Sequence, residues 1–184
     1  MRESSNPSNT DRFDGSAGPR VVGPADGKTI DLGMVGVRFM VWSAETGGQF
    51  SLVEHPIPPR TLAAPLHRHH HEDEYSYVLE GELGALLGDD VVYATAGDLV
   101  FKPRNQWHTF WNAGDTPCRI LEIIAPGGFE GMFAEMGEWT APPTLDDVRA
   151  LNARYGLDED FESIGRLCQR FDLSFPTGDE GSPA

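Results

Sequence analysis

The chain has 184 residues, 39% of them hydrophobic, enough for one domain with a sizeable core and no need of disulfide staples. Its 14 basic and 29 acidic side chains leave a formal charge of −15, which repels polyphosphate and argues against nucleic acid and anionic membranes as partners. Only two cysteines occur, Cys118 and Cys168, and no CxxC, which counts against a disulfide framework and a thiolate zinc site.

Residues 1–20 are polar and aperiodic, and are expected to form a mobile tail. They hold no apolar run of leader length, and the longest strongly apolar run of the chain, 39–42, is far short of the ~20 residues a membrane helix requires. A cytoplasmic protein is the expectation.

From 28 to 125 the sequence is a succession of short β-like runs broken by turn residues, in a chain with 21 glycines and 14 prolines. Segments 37–42 and 50–53 carry β-branched and aromatic residues at strand spacing. Segments 74–80, 82–87 and 91–95 read as three strands joined by tight turns at Gly81 and at 88–90. Segments 99–101, 107–112 and 118–124 continue the series, and so many short strands predict a sandwich or a barrel over 21–125.

At Pro126 the pattern becomes helical, and 126–184 reads as a C-terminal helical extension. Phe129, Met132, Phe133 and Met136 fall on one helix face. Thr144 with Asp147 resembles a capping box ahead of the stripe Leu145, Val148, Leu151 and Tyr155, and Gly156 is placed to end that helix. A third stripe joins Phe161, Ile164, Leu167, Cys168 and Phe171. The acidic run Asp158, Glu159 and Asp160 reads as a solvated face and as helix N-terminal charge.

Five histidines fall close together in this reading. His67, His69, His70 and His71 lie in one segment, and His108 sits on a later strand. Side chains at i and i+2 share a strand face, so His67 and His69 can point inward at one ion, with Glu74 supplying a carboxylate and His108 a third imidazole. Such N/O donors suit first-row divalent metals and not Ca²⁺ or Mg²⁺. His71 shares the parity of His67 and His69, so a slipped set of His69, His71 and Glu74 is also conceivable. His70 faces the other way.

The spacing His67-x-His69-x4-Glu74-x6-Gly81 resembles the first motif of the cupin superfamily, and Gly97-x5-Pro103-x-Asn105-x2-His108-x3-Asn112 resembles the second. Thr61 and Asn105 stand where the family usually has glycine, and Asn tolerates a left-handed backbone nearly as well. The family spacing favours His67, His69, Glu74 and His108 over the slipped set. The resemblance implies a mainly β fold, the double-stranded β-helix or jelly-roll barrel, followed here by the C-terminal helices. It also implies one divalent transition metal (Fe, Mn, Ni, Co, Cu or Zn). Single-barrel cupins with three histidines and one glutamate resemble quercetinase-like dioxygenases, which would give Glu74 a catalytic role as ligand and proton acceptor. A non-redox isomerase or cyclase and a non-catalytic binding module remain as alternatives.

Parity places Ser76 and Val78 beside Glu74, and Phe110 and Asn112 beside His108, as a largely apolar pocket for a small aromatic or unsaturated substrate. The chain has only two lysines, Lys28 and Lys102, and no basic clamp for a phosphorylated substrate. The outward set Tyr75, Tyr77, Leu79, Trp107 and Trp111 needs cover from flanking segments or a second subunit, so a homodimer is expected. The C-terminal stripes are expected to dock on the barrel or on a neighbouring subunit, either as a structural cover for the outer sheet or dimer surface or, for at least one of them, near the open end of the barrel, narrowing access to the metal.

Overall fold

The computed structural model of the protein describes residues 18–176, so the expected tail lies outside the described residues except for 18–20. Arg20 is held there, donating to the Met40 carbonyl at 3.2 Å and pairing with Glu45. In chain order the strands are β1 (Thr29–Asp31), β2 (Gly36–Val41), β3 (Ser51–Ile57), β4 (Leu66–His69), β5 (Asp73–Glu80), β6 (Glu82–Leu87), β7 (Asp90–Thr95), β8 (Leu99–Lys102), β9 (His108–Asn112) and β10 (Cys118–Ala125). Helices α1 (Glu130–Met136) and α2 (Leu145–Tyr155) follow, then strand β11 (Leu157–Asp160) and helix α3 (Ser163–Phe171).

The strands form two antiparallel sheets, ordered β1-β2-β3-β10-β5-β8 and β11-β4-β9-β6-β7. Alternation sets their inner faces. Val78 and Ile120 from the first sheet and Leu83, Ala85 and Phe110 from the second meet in one buried cluster, which closes the jelly-roll barrel. Gly81, Gly97 and Asn105 all have positive φ, at 80°, 100° and 63°, so Asn105 does take the left-handed turn that glycine would occupy.

All three helical stripes form where the periodicity places them. Thr144 Oγ1 accepts from the Asp147 amide and Asp147 Oδ2 from the Thr144 amide, a complete capping box at the start of α2. No helix among the described residues is long and apolar enough to cross a membrane. The two cysteines are free thiols.

One expectation is corrected. The acidic run at 158–160 is not a solvated helix start: it is β11, paired antiparallel to β4 with Asp158 opposite Arg68 and Glu159 opposite His67. β4 would otherwise expose a row of unpaired backbone groups next to the site, and pairing outweighs the poor strand propensity of Asp and Glu. Arg68 helps, with its Nε 2.7 Å from Asp158 Oδ2. The extension therefore completes a barrel sheet as well as covering it.

The cover expected for Trp111, from flanking segments or a second subunit, comes from the flanking extension. α3 covers it within the chain: Phe171 stacks on its ring at 4.3 Å, and Leu62, Leu86 and Leu167 complete the cluster. On its other side Trp111 presses against Gly84, where an added Cβ would lie 2.2 Å from the indole. Gly84→Ala should therefore cost about 1–3 kcal/mol through overpacking, read as a lower urea midpoint. An unchanged midpoint would mean that Trp111 and α3 are free to shift.

Candidate metal centre

The four candidate ligands read from the two spacings converge. Atoms of His67, His69, Glu74 and His108 lie within 4.8 Å of one another, and all four side chains are buried. β4 contributes the first two, β5 the third and β9 the fourth, with His67 directly opposite His108 in the ladder. The slipped alternative does not form, because β4 ends at His69. His71 is exposed, and His70 is exposed as well, its Nε2 2.9 Å from Asp158 Oδ2.

The hydrogen bonds at the back of the rings decide which nitrogen is free. His67 Nδ1 lies 2.8 Å from the Pro65 carbonyl and His108 Nδ1 2.9 Å from the Gln106 carbonyl. A carbonyl oxygen only accepts, so Nδ1 carries the proton in both rings and Nε2 presents a lone pair to the centre. Burial holds the pKa of His67 well below its ordinary value and lowers that of His108, so both rings are neutral, the form a metal requires.

Neutral rings leave an electrostatic problem that a cation would solve. His108 Nε2 faces Glu74 Oε2 at 3.2 Å, and His69 Nε2 faces Glu74 Oε1 at 3.5 Å. For a neutral His108 the first contact sets a lone pair against a carboxylate oxygen. Both ring nitrogens of His69 are buried without a hydrogen-bond partner among the described residues. The donor set and its unsatisfied atoms fit a divalent transition ion.

The surroundings are more polar than the sequence suggests. Lys102, on β8 opposite Glu74, is buried with its Nζ 3.0 Å from Glu74 Oε2 and 3.0 Å from Glu122 Oε2. Burial opposes its charge, but Glu122 and Glu74 outweigh that and raise its pKa. Burial also acts against Glu74, yet the Lys102 ammonium holds its carboxyl well below the usual range. Burial pushes Glu122 up to about 7 in spite of Lys102. Lys102 could be found only from the β5–β8 register, which no local pattern specifies.

The expected pocket residues divide. Phe110 carries the Lys102 ammonium 4.4 Å from its ring centroid, and Ser76 donates to Glu122 at 2.7 Å, so both border the charged row. Val78 lies in the barrel cluster. Asn112 donates to the Ile57 and Thr116 carbonyls and accepts from the Gly114 amide, which pins a loop. Phe129, expected in the first helical stripe and not among the pocket residues, covers the centre: its ring lies 4.3 Å from that of His69, edge-on. Phe129 immediately precedes α1, and Glu130 fastens that helix by accepting from the Ser43 and Gly128 amides. The outer cover, α3, and the inner cover, α1, are thus different parts of one extension.

His55, absent from the expectation, faces inward from β3 with its Nδ1 2.9 Å from the Gly36 carbonyl. Burial lowers its pKa to about 4 from 6.5. The unfolded chain therefore binds a proton as the pH falls through 6.5 while the folded chain does so only near 4, so folded stability is lost over that window. His55→Asn keeps a donor toward Gly36 and removes the titration. The wild type should lose about 3 kcal/mol more than the variant between pH 7 and 4 in urea unfolding. Equal losses would contradict a neutral buried His55.

The cupin domain family model matches residues 54–124, which include all four candidate ligands. A quercetin 2,3-dioxygenase from Aspergillus japonicus is 30% identical over 106 residues, 54% of this chain, and the chain spans only 30% of that enzyme's length. Among solved structures, the polyketide cyclase RemF from Streptomyces resistomycificus matches with a TM-score of 0.51 and 26% identity, over 58% of this chain and 79% of its own. A Thermotoga maritima protein described as a predicted oxalate decarboxylase matches with a TM-score of 0.54 and 23% identity, over 58% of this chain and 99% of its own, a likeness of fold.

Proposed function

The chain belongs to the cupin superfamily, and from that premise we propose that it binds one divalent transition metal through His67, His69, Glu74 and His108 and acts as a dioxygenase on a small unsaturated organic substrate. The observation that carries the metal is the set of imidazole nitrogens aimed at an acceptor carboxylate inside a buried site. The likeness to a quercetin dioxygenase supports the oxygenase reading. A bound Fe, Mn, Ni, Co or Cu ion would supply the one-electron chemistry that O₂ requires.

The chain's own residues supply the rest. Three imidazoles and Glu74 would hold the ion, and the Pro65 and Gln106 carbonyls fix two of the rings. Phe110 and Phe129 offer aromatic faces, and Phe129 excludes bulk water. Since Phe129 closes the site, entry requires movement of the segment that leads into α1.

A second reading, non-redox cyclisation or isomerisation with Zn²⁺ as Lewis acid, is supported by the likeness to RemF. Oxygen uptake separates the two. With quercetin as probe, protein reloaded with each metal in turn should consume O₂ with at least one redox-active ion and none with Zn²⁺. No uptake with any ion would remove the dioxygenase reading.

We also propose a homodimer. Tyr77, Leu79, Leu99 and Phe101 are exposed on the outer faces of β5 and β8, with Tyr75 stacked on Phe101 at 4.9 Å. β8 ends its sheet, so a second copy could pair with its free edge and bury that face about a twofold axis. Light scattering at micromolar concentration should give the mass of two chains, and a monomer mass would contradict this. The free thiols of Cys118 and Cys168 suit a reducing cytoplasm.

A further inference from the structure

Lys102 is the buried group that the proposed chemistry leaves without a task. It is 1% exposed, and desolvating an ammonium is costly enough that an apolar residue of similar size would serve stability as well or better. Its surroundings are built nonetheless. Cross-strand register sets Lys102 opposite Glu74 on one rung and Glu122 opposite Ser76 on the next, so β8, β5 and β10 carry two neighbouring polar pairs whose contacts link them in one row. Within it Lys102 Nζ lies 3.0 Å from Glu74 Oε2 and donates to Glu122 Oε2 at 3.0 Å. Ser76 Oγ donates to the same Glu122 oxygen at 2.7 Å, and the ring of Phe110 lies under the ammonium.

We infer that Lys102, braced by Glu122 and Ser76, is a positioning residue that holds Oε2 of Glu74 and so fixes how that carboxylate meets the metal. This rests on the metal reading of the four ligands. The terminal torsion of a glutamate is broad, so a carboxylate without such a hold can turn and ligate through either oxygen or both. An ammonium on Oε2 removes that freedom and draws charge from that oxygen, which leaves Oε1, 3.5 Å from His69 Nε2, as the better donor. A one-oxygen ligand keeps a coordination position open for a substrate atom. Glu122 holds the ammonium in the row, and Ser76 holds Glu122.

The test uses the full chain, Co²⁺ as the probe, chelator competition for affinity and the visible absorption of bound Co²⁺ for geometry. The variants are Lys102→Met, the double variant Lys102→Met with Glu122→Gln, and Ser76→Ala. The double variant leaves no uncompensated charge at Glu122, so it answers the question even where Lys102→Met alone fails to fold. Ser76→Ala alters no charge and removes one brace. Loss of a group that orients a metal ligand typically costs about 10–100-fold in affinity. The double variant should lose that much and show a changed Co²⁺ band, and Ser76→Ala should lose less. Wild-type affinity and spectrum in the double variant would overturn the inference, since Lys102 would then only neutralise Glu122. A wild type that takes up no Co²⁺ would overturn the metal reading itself, and this inference with it.

Discussion

Replacing His108 with alanine will reduce metal affinity by at least two orders of magnitude, while His70→Ala will leave it unchanged. His108 is one of three imidazoles around Glu74, and its Nδ1 bond to the Gln106 carbonyl commits Nε2 to the centre. Removing it deletes one of four ligands and leaves a cavity on β9 opposite His67. His70 differs by one residue from a ligand in sequence, but it points outward to Asp158. The contrast is therefore a test of strand parity as much as of chemistry. Chelator competition with Co²⁺ or Zn²⁺ reads it directly. Equal affinities in His108→Ala and the wild type would remove His108 from the site.

The second large effect is expected at Phe129. Its side chain is 4% exposed, packed edge-on against His69 and Phe133 and near Tyr155. Truncating a buried phenylalanine to alanine costs about 3–5 kcal/mol. Here the cavity would also open beside a ligand ring, so a chelator should strip the metal faster from Phe129→Ala than from the wild type. Phe129→Leu, which refills most of the volume, should recover most of both losses. If Phe129→Ala releases metal at the wild-type rate, the segment leading into α1 is a structural cover and no gate.

The cluster of His67, His69, Glu74 and His108 was legible because it depends on local rules. His67 and His69 share a strand face, and the interval to Glu74 spans a short turn, so the sequence interval alone aligns three of the four donors. The helices were legible from their stripes and from the Thr144–Asp147 box. What depends on pairing between distant segments was not legible. Lys102 sits opposite Glu74 only through the β5–β8 register, and Glu122 reaches the row only because β10 lies between β3 and β5. β11 carries three acidic residues in a row, and its strand state comes from the edge of β4 and not from its own composition. The division of the extension into α1 over the metal ligands and α3 over Trp111 likewise follows from tertiary packing. Either stripe could have served either place.

The most direct measurement is the metal content of the protein purified without a polyhistidine tag, by elemental analysis, beside Glu74→Gln and His67→Ala prepared in the same way. The account predicts close to one equivalent of a first-row divalent metal per chain in the wild type, and strongly reduced content in both variants. Metal-free wild type that also fails to take up Fe, Mn, Co, Ni, Cu or Zn on reloading would contradict it, as would variants that retain the wild-type content.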